Sequence, residues 1–457
     1  MVAPARAAAF QALAAISSGR ADLGDALSRS RDHLADVRDR SLVTDLVTGT
    51  LRWRNRLDYQ LQRLSATPLP RLDVGVLDAL RLGAYQILYL DRVPVSAVVN
   101  DAVALVKQAG FGSASGFTNA ILRRLARERD TLSWPTRPAT VDTERDHQAL
   151  SEYLAVVHSH PSWLVDRWLT RYGVAATEQW LAFNNQPPAL TLVANLARVS
   201  REELQRRLQA EAVDTALTTH ATHGVIVIAG RALATTTFRE GFCLVQDEAS
   251  QIIPELVAAR PGDRVLDACA SPGGKTVALA AQCGPSGMVI ATDVRAKRVQ
   301  LLADTLRRCE VDNAHVVYIA DHGPLPFADE SFQRVLVDAP CSGLGTVRRD
   351  PDIRWRRAAE HFVALAQTQI ELLARLAPLV APGGRLVYST CSSEREENEA
   401  VVGGFLATHE SFVVTRVDGL AELPGDLREM ATPEGYLRTS AQHGLEAFFG
   451  AVLTRRL

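Results

Sequence analysis

The sequence predicts a multidomain chain of three parts: an all-α bundle, a small α+β module, and an α/β domain built on a mostly parallel sheet. Three observations carry this. Across residues 1–130 apolar residues recur at helical spacing, with Gly and Pro at the breaks. Residues 147–240 mix one helical start with short strand-like runs. From residue 241 to 457 strand-like and helical runs alternate, the pattern of a parallel sheet covered by helices on both faces. A chain of 457 residues also exceeds the usual size of a single domain.

Composition narrows the class. With 47% hydrophobic and 22% charged residues the chain reads as an ordinary globular protein. The formal net charge of −2 excludes a global field that draws it to nucleic acid, so any basic surface is local. Six cysteines stand without a CxxC pair, which argues against a disulfide framework or a structural zinc site; no metal is expected, and most of the thiols should be buried in a reducing compartment. No run is long enough to span a bilayer, so the expectation is a cytoplasmic monomer with no membrane partner.

The opening MVAPARAAAFQALAAI could pass for a signal peptide. Gln11 interrupts its apolar stretch, and Phe10, Leu13 and Ile16 recur at helical spacing, so an amphipathic helix is predicted. Helical periodicity continues through DRSLVTDLVTGTLRWRNRLDYQLQRL, VLDALRLGAYQILYL and SAVVNDAVALVKQAG. Arginines gather at Arg52, Arg54, Arg56 and Arg63 and at Arg123, Arg124, Arg127 and Arg129, with Trp53 and Tyr59 interleaved. Such clusters suit RNA phosphates and base stacking, although arginines on helices are more often simply solvated.

Residues 131–146 carry prolines and polar residues and read as an interdomain linker. The module over 147–240 follows, with a helical start around Tyr153 to Tyr172, the break NNQPP, the strand-like ALTLVANL, the helix REELQRRLQA and the β run GVIVIAG. His158 and His160 have no third ligand nearby, and a capping or packing role is expected.

In the last part the apolar strand ending at Asp267 empties into Ala268-Cys269-Ala270-Ser271-Pro272-Gly273-Gly274-Lys275 and then a helix. A Walker A loop would need glycine where Cys269 stands, and no GxGxxG is present. What survives is an acid at a strand end, a glycine turn with free amides at a helix start, and a second strand ending at Asp293. This is where a nucleoside-bearing cofactor should lie, an unliganded turn being the competing reading. Asp267, Asp293, Asp321, Asp338 and the Thr390-Cys391-Ser392 turn all fall at the carboxyl ends of predicted strands, the ligand-binding edge of such sheets.

Two thiols complete the constellation: Cys341 in Asp338-Ala-Pro-Cys341-Ser, and Cys391. A lone buried cysteine is usually packing; two at the tips of neighbouring strands reverse that preference. A thiolate that adds to C6 of a pyrimidine makes the otherwise unreactive C5 nucleophilic toward an electrophilic methyl group, after which loss of the C5 proton releases the thiol.

DACASPGGKT, LVDAPCSGLGTVRRDPDIRW and YSTCSSEREENE together resemble the RNA cytosine-5 methyltransferases of the NOL1/NOP2/Sun family, from about residue 150 to the end. The front domain is similar to the helical antitermination factor NusB in LVTGTLRWRNRLDYQL, VLDALRLGAYQILYLDRVPVSAVVNDAV and GFTNAILRRLA. Joined in this order, the halves resemble the type B methyltransferases of bacterial small-subunit ribosomal RNA.

The resemblance implies a NusB-like RNA-binding bundle, a small RNA-binding module and a Rossmann-like domain using S-adenosylmethionine. It assigns Cys269 to Lys275 to the methionine part of the cofactor, Asp293 to its ribose hydroxyls with Arg298 beside it, and Asp321 to the adenine amino group. It makes Cys391 the nucleophile and Cys341 the thiol that resolves the adduct, with Asp338 near the methyl donor and the cytosine edge. Residue chemistry alone leaves the order of the two thiols open, because DNA cytosine methyltransferases use a Pro-Cys thiol.

Arg348, Arg349, Arg354 and Arg356 around DPDIRW are expected to meet phosphates over the crevice, with a solvated loop as the alternative. Glu397 and Asn398 could cap a helix or order the site. Val193-Ala194-Asn195 departs from the family's Arg-Val-Asn, so an arginine is missing there. The expected partner is RNA rather than DNA, with 16S rRNA favoured by the helical domain. The rivals are the same chemistry on transfer RNA and a non-catalytic RNA-binding assembly factor.

Overall fold

A computed structural model describes residues 2–139 and 143–457; residues 140–142, within the expected 131–146 linker, lie outside it. The chain forms two compact units, Met1–Gln186 with Val347–Arg356, and Pro187–Thr346 with Arg357–Leu457.

In the first unit the helices Pro4–Ser17, Leu23–Asp32, Val37–Arg52, Arg54–Leu64, Val74–Tyr89, Val95–Gln108 and Ser115–Glu128 enclose one apolar core. The opening helix is amphipathic as expected: Phe10, Leu13 and Ile16 are buried and Gln11 is exposed. Two further helices, Glu144–Val157 and Ser162–Asn185, pack in this unit. The reason is polar: Asn55 donates from Nδ2 to the carbonyls of Ala155 (2.9 Å) and His160 (3.1 Å), and its own amide donates to Ser159 Oγ (3.0 Å). His158 caps the first of these helices, and buried His160 lies edge-on to Trp168 with Nδ1 2.7 Å from the His158 carbonyl.

The arginine clusters divide. Arg56 stacks on Trp134 (4.2 Å) and Arg54 lies over Trp355 (5.2 Å), while Arg52 donates to the Arg348 carbonyl at 2.7 Å. Arg52, Arg54 and Arg56 are therefore internal packing of this unit and not an open row for phosphates, while Arg63 is exposed. Arg123, Arg124 and Arg127 do face solvent. Val347–Arg356 brings a second correction. Arg354 is fully buried, donating to the carbonyls of Ser159 (2.9 Å) and Asn184 (3.2 Å) and to Asn185 Oδ1 (3.0 Å). Arg348 lies on the Phe183 ring and Arg356 pairs with Asp352. Arg354 and Arg356 act as struts because the planar guanidinium fork satisfies several fixed acceptors at once.

The second unit holds two sheets. Strands β1 (Thr191–Ala194), β2 (Asp214–Leu217), β3 (Gly224–Ala229) and β4 (Cys243–Val245) form an antiparallel sheet of order β2-β3-β1-β4, its last strand falling beyond the expected boundary at 240. Val193, where the family's arginine was expected, is buried in apolar core.

The larger sheet comprises β5 (Arg264–Asp267), β6 (Met288–Asp293), β7 (Ala314–Tyr318), β8 (Phe332–Asp338), β9 (Val380–Thr390), β10 (Phe412–Thr415), β11 (Leu437–Arg438) and β12 (Phe449–Arg455), in the order β10-β12-β9-β8-β5-β6-β7 with β11 beside β12. β9, β8, β5, β6 and β7 run parallel, and β12 is antiparallel to its neighbours. Alternate residues serve opposite faces. Val265, Leu336 and Val387 pack with the helices Glu248–Val257 and Gly274–Cys283, while Leu266, Val335, Val337 and Leu386 pack with His361–Leu376. Both faces are buried, which is why these strands read as continuous apolar runs. Among the described residues no helix is long and apolar enough to cross a membrane.

Candidate active site

The parallel strands end on one edge, and that edge carries the polar residues. β5 closes on Asp267, buried, with Oδ2 accepting from Thr276 Oγ1 at 2.7 Å and Oδ1 unpartnered. Burial pushes its carboxyl up to about 7, against the opposing Thr276 bond. The chain then turns: Ala270 donates to the Thr292 carbonyl and Gly273 to the Ala270 carbonyl, with Gly273 at φ +108°, in the left-handed region that favours glycine. Lys275 opens the next helix and projects to β8, its Nζ 2.7 Å from Asp338 Oδ2. Burial alone would depress the ammonium; Asp338 outweighs it and the Lys275 pKa is raised.

A cavity of about 560 Å3 lies over this turn, within the usual ~300–1,000 Å3 of small-molecule sites. Asp267, Cys269, Ala270, Ser271, Pro272, Gly274, Lys275 and Asp338 line it. Ser271 Oγ is buried without a partner. Asp293, at the end of β6, is also buried: the Arg295 amide donates to Oδ1 at 3.0 Å, Oδ2 has no hydrogen-bond partner, and Arg298 stands 3.8 Å away. Asp321 is not brought to the cavity wall; it sits on the loop after β7 with its carboxylate exposed, 3.8 Å from His322. Burial, with Asp338, Asp267 and Asp293 adding to it, pushes the Cys269 thiol up, so this third sulfur stays protonated.

Asp338 joins the cavity to the thiols. Its Oδ1 accepts from Ser389 Oγ at 2.8 Å, and three residues on, past Pro340, the chain reaches Cys341. β8 and β9 are parallel neighbours with Asp338 opposite Ser389, so their tips lie together, and Cys341 Sγ is 3.4 Å from Cys391 Sγ. Both thiols are free and half-buried. The hydrogen bond to Cys391, then burial, push the Cys341 thiol well above its usual range. In this pair Cys341 keeps its proton.

Several supporting residues were not singled out from the sequence. Arg357 donates to the carbonyls of Ser342 (2.8 Å) and Cys341 (3.4 Å), and Gln369 to that of Pro340 (2.8 Å). The Gly345 amide donates to the Cys391 carbonyl at 2.9 Å. Gln369 shows no local signal, whereas the glycine of CSGLG could have been questioned. Glu397 and Asn398, left between capping and ordering, lie in the site: Asn398 bonds Thr390 Oγ1 (2.6 Å) and the Ser392 carbonyl (2.9 Å) and makes no side-chain cap.

The description "16S rRNA methyltransferase RsmB/F" matches residues 254–454, the NusB family matches 3–127, and the ferredoxin-like domain of RsmF/B-type methyltransferases matches 160–233. The ribosomal RNA small subunit methyltransferase B of Pseudomonas putida is 35% identical over 455 residues, covering 98% of each chain. The chain belongs to the RsmB/F methyltransferase family. The Proteus mirabilis protein of the same description is 33% identical over 414 residues, 88% of this chain and 91% of its own length. The crystal structure of PH0851 has a TM-score of 0.79 at 23% identity and covers 99% of both chains, a likeness of fold. This RsmB/F member is accordingly an RNA methyltransferase with a NusB-like front domain and a mostly parallel sheet in its methyltransferase domain.

Proposed function

We propose that the chain methylates C5 of cytosine in 16S rRNA, using S-adenosylmethionine and a covalent adduct between Cys391 and C6. The observation that carries this is the pair of sulfurs 3.4 Å apart at two strand tips, tied through Asp338 to a cavity of cofactor size. When bound, S-adenosylmethionine supplies a methyl carbon made electrophilic by its sulfonium.

The residues suit that group. Asp293 would offer its unpartnered Oδ2 to the ribose hydroxyls with Arg298 alongside, and the turn Cys269–Lys275 would receive the methionine part, whereas exposed Asp321, off the cavity wall, gives the adenine role no support. Cys341 holds its proton 3.4 Å from Cys391, whose thiolate adds to C6. Electron density then moves to C5, where bound S-adenosylmethionine would supply the methyl group, its methyl–sulfur bond breaking to leave the neutral thioether. Loss of the C5 proton to a base restores the ring and expels the Cys391 sulfur, a release that Cys341 assists from 3.4 Å away. Asp338, clamped by Lys275 and Ser389, orients the base by accepting from its amino edge. The target must be unstacked, at a cost of a few kcal/mol in a duplex.

Incubation of the full chain with methyl-labelled S-adenosylmethionine and separate 16S rRNA and transfer RNA pools tests the reading. The expected product is 5-methylcytidine in 16S rRNA. Methylation at nitrogen or ribose would reject the mechanism, and label confined to transfer RNA would reject the substrate. Tight RNA binding without transfer would favour an assembly factor.

A further inference from the structure

We infer that Glu397 is a positioning residue that holds the two thiols in reacting register. The inference rests on the two-thiol reading above. Glu397 is fully buried. Its Oε1 accepts from the Ser342 amide at 2.7 Å and from Gln369 Nε2 at 3.2 Å, and its Oε2 accepts from Ser392 Oγ at 2.5 Å. Ser342 follows Cys341 and Ser392 follows Cys391 in the chain. One carboxylate thus grips the residue after each thiol, spanning the tips of two strands whose serine hydroxyls are themselves 3.1 Å apart.

Arg357 holds the Cys341 turn alone, and Gly345 ties the end of that loop to the Cys391 carbonyl. Glu397 binds both. Its carbonyl is also held, accepting from the buried Tyr388 hydroxyl at 2.6 Å. Capping does not explain this residue. The helix Glu399–Leu406 begins after Asn398, and the bonds of the Glu397 carboxylate all go to the site. Burying a carboxylate against three neutral donors is costly to desolvate, which makes a filler role a poor account of it.

The test uses phenylarsine oxide on the full chain without RNA or cofactor. Its arsenic bridges two adjacent thiols, both S–H protons leaving with the oxide oxygen as water, and mass spectrometry of peptides locates the bridge. The wild type should bridge Cys341 to Cys391. Glu397→Ala should slow bridging at least tenfold. Glu397→Gln, whose amide oxygen can accept from Ser342 while its nitrogen donates to Ser392, should restore it to within about twofold.

Affinity for S-adenosylmethionine, by calorimetry, should stay within about twofold in both variants, because Glu397 does not line the cavity. Wild-type bridging in Glu397→Ala, no rescue by Glu397→Gln, or an equal fall in cofactor affinity would each overturn the inference. Should Glu397→Ala not fold, Ser392→Ala, which removes one of the three hydrogen bonds to the Glu397 carboxylate together with the Ser392 contacts to Ser342 Oγ and the Glu394 amide, should slow bridging about threefold, and no change would overturn it. The arsenical reports geometry without methyl transfer, so a missing 5-methylcytidine would reject the proposed reaction and leave this result standing.

Discussion

Gly345→Ala should disable the enzyme with only a modest loss of stability. Built on this backbone, a Cβ at Gly345 lies 1.9 Å from the Ala447 carbonyl oxygen and 2.8 Å from that of Cys391. Even 3.0 Å is closer than real Cβ atoms come, so the Ala447 carbonyl must retreat by about 1 Å. Both obstacles are backbone, and neither can rotate away. The retreat strains the Ala447-to-Gly345 bond (3.1 Å) and the Gly345-to-Cys391 bond (2.9 Å), and so shifts the nucleophile's own carbonyl.

Overpacking of this kind costs about 1–3 kcal/mol. A misplacement of 1 Å costs about 100-fold in rate, and the smaller shift imposed on Cys391 should cost about tenfold. The assay is methyl transfer to 16S rRNA measured beside thermal unfolding. Gly403→Ala is the control: nothing lies within 4 Å of its Cβ, it sits in the helix Glu399–Leu406, and it should be neutral or stabilising by up to about 1 kcal/mol. A Gly345→Ala protein keeping more than half the wild-type rate would refute the reasoning.

Other perturbations separate the remaining roles. Cys391→Ala should abolish methyl transfer, whereas Cys341→Ala should accumulate an RNA adduct that survives denaturation, visible as a shifted band on a denaturing gel. Asp267 is the pH probe. Its folded pKa, about 7, lies above the ordinary 3.8, so the stability it confers is complete below pH 4 and is lost as pH rises through 7, by up to about 4 kcal/mol. Asp267→Asn should therefore raise the melting temperature at pH 8 and not at pH 4; an equal change at both would reject the assignment. Arg354→Met removes three hydrogen bonds to buried acceptors and should destabilise the first unit by about 3 kcal/mol, read as a lower midpoint of thermal unfolding, with Lys failing to rescue because an ammonium lacks the planar fork.

Much of the site could be read along the chain. The alternation of apolar runs required a two-faced parallel sheet, and a parallel sheet must bring its strand ends to one edge. The alternation therefore puts Asp267, Asp293, Asp338 and both thiols at that edge. The glycine turn was legible for a related reason: a strand closing on an acid and turning at once into a helix leaves backbone amides open. Asp321 was placed less well, since it follows the last hydrogen-bonded residue of β7 by three positions and a loop intervenes.

Arginines were the recurring error. A charged residue written in a string looks solvated or bound to phosphate, yet Arg354 spends its donors on residues near position 160 and near position 185. Arg54 and Arg56 are absorbed by aromatic faces distant in sequence. Periodicity reports which side of an element is buried and is silent on what it meets there. Glu397 shows the same limit at the site itself. Hydrophobic burial leaves its repeat in the local pattern of residues; a polar bond between positions 342 and 397 depends on where two strand tips meet, and only the folded chain fixes that.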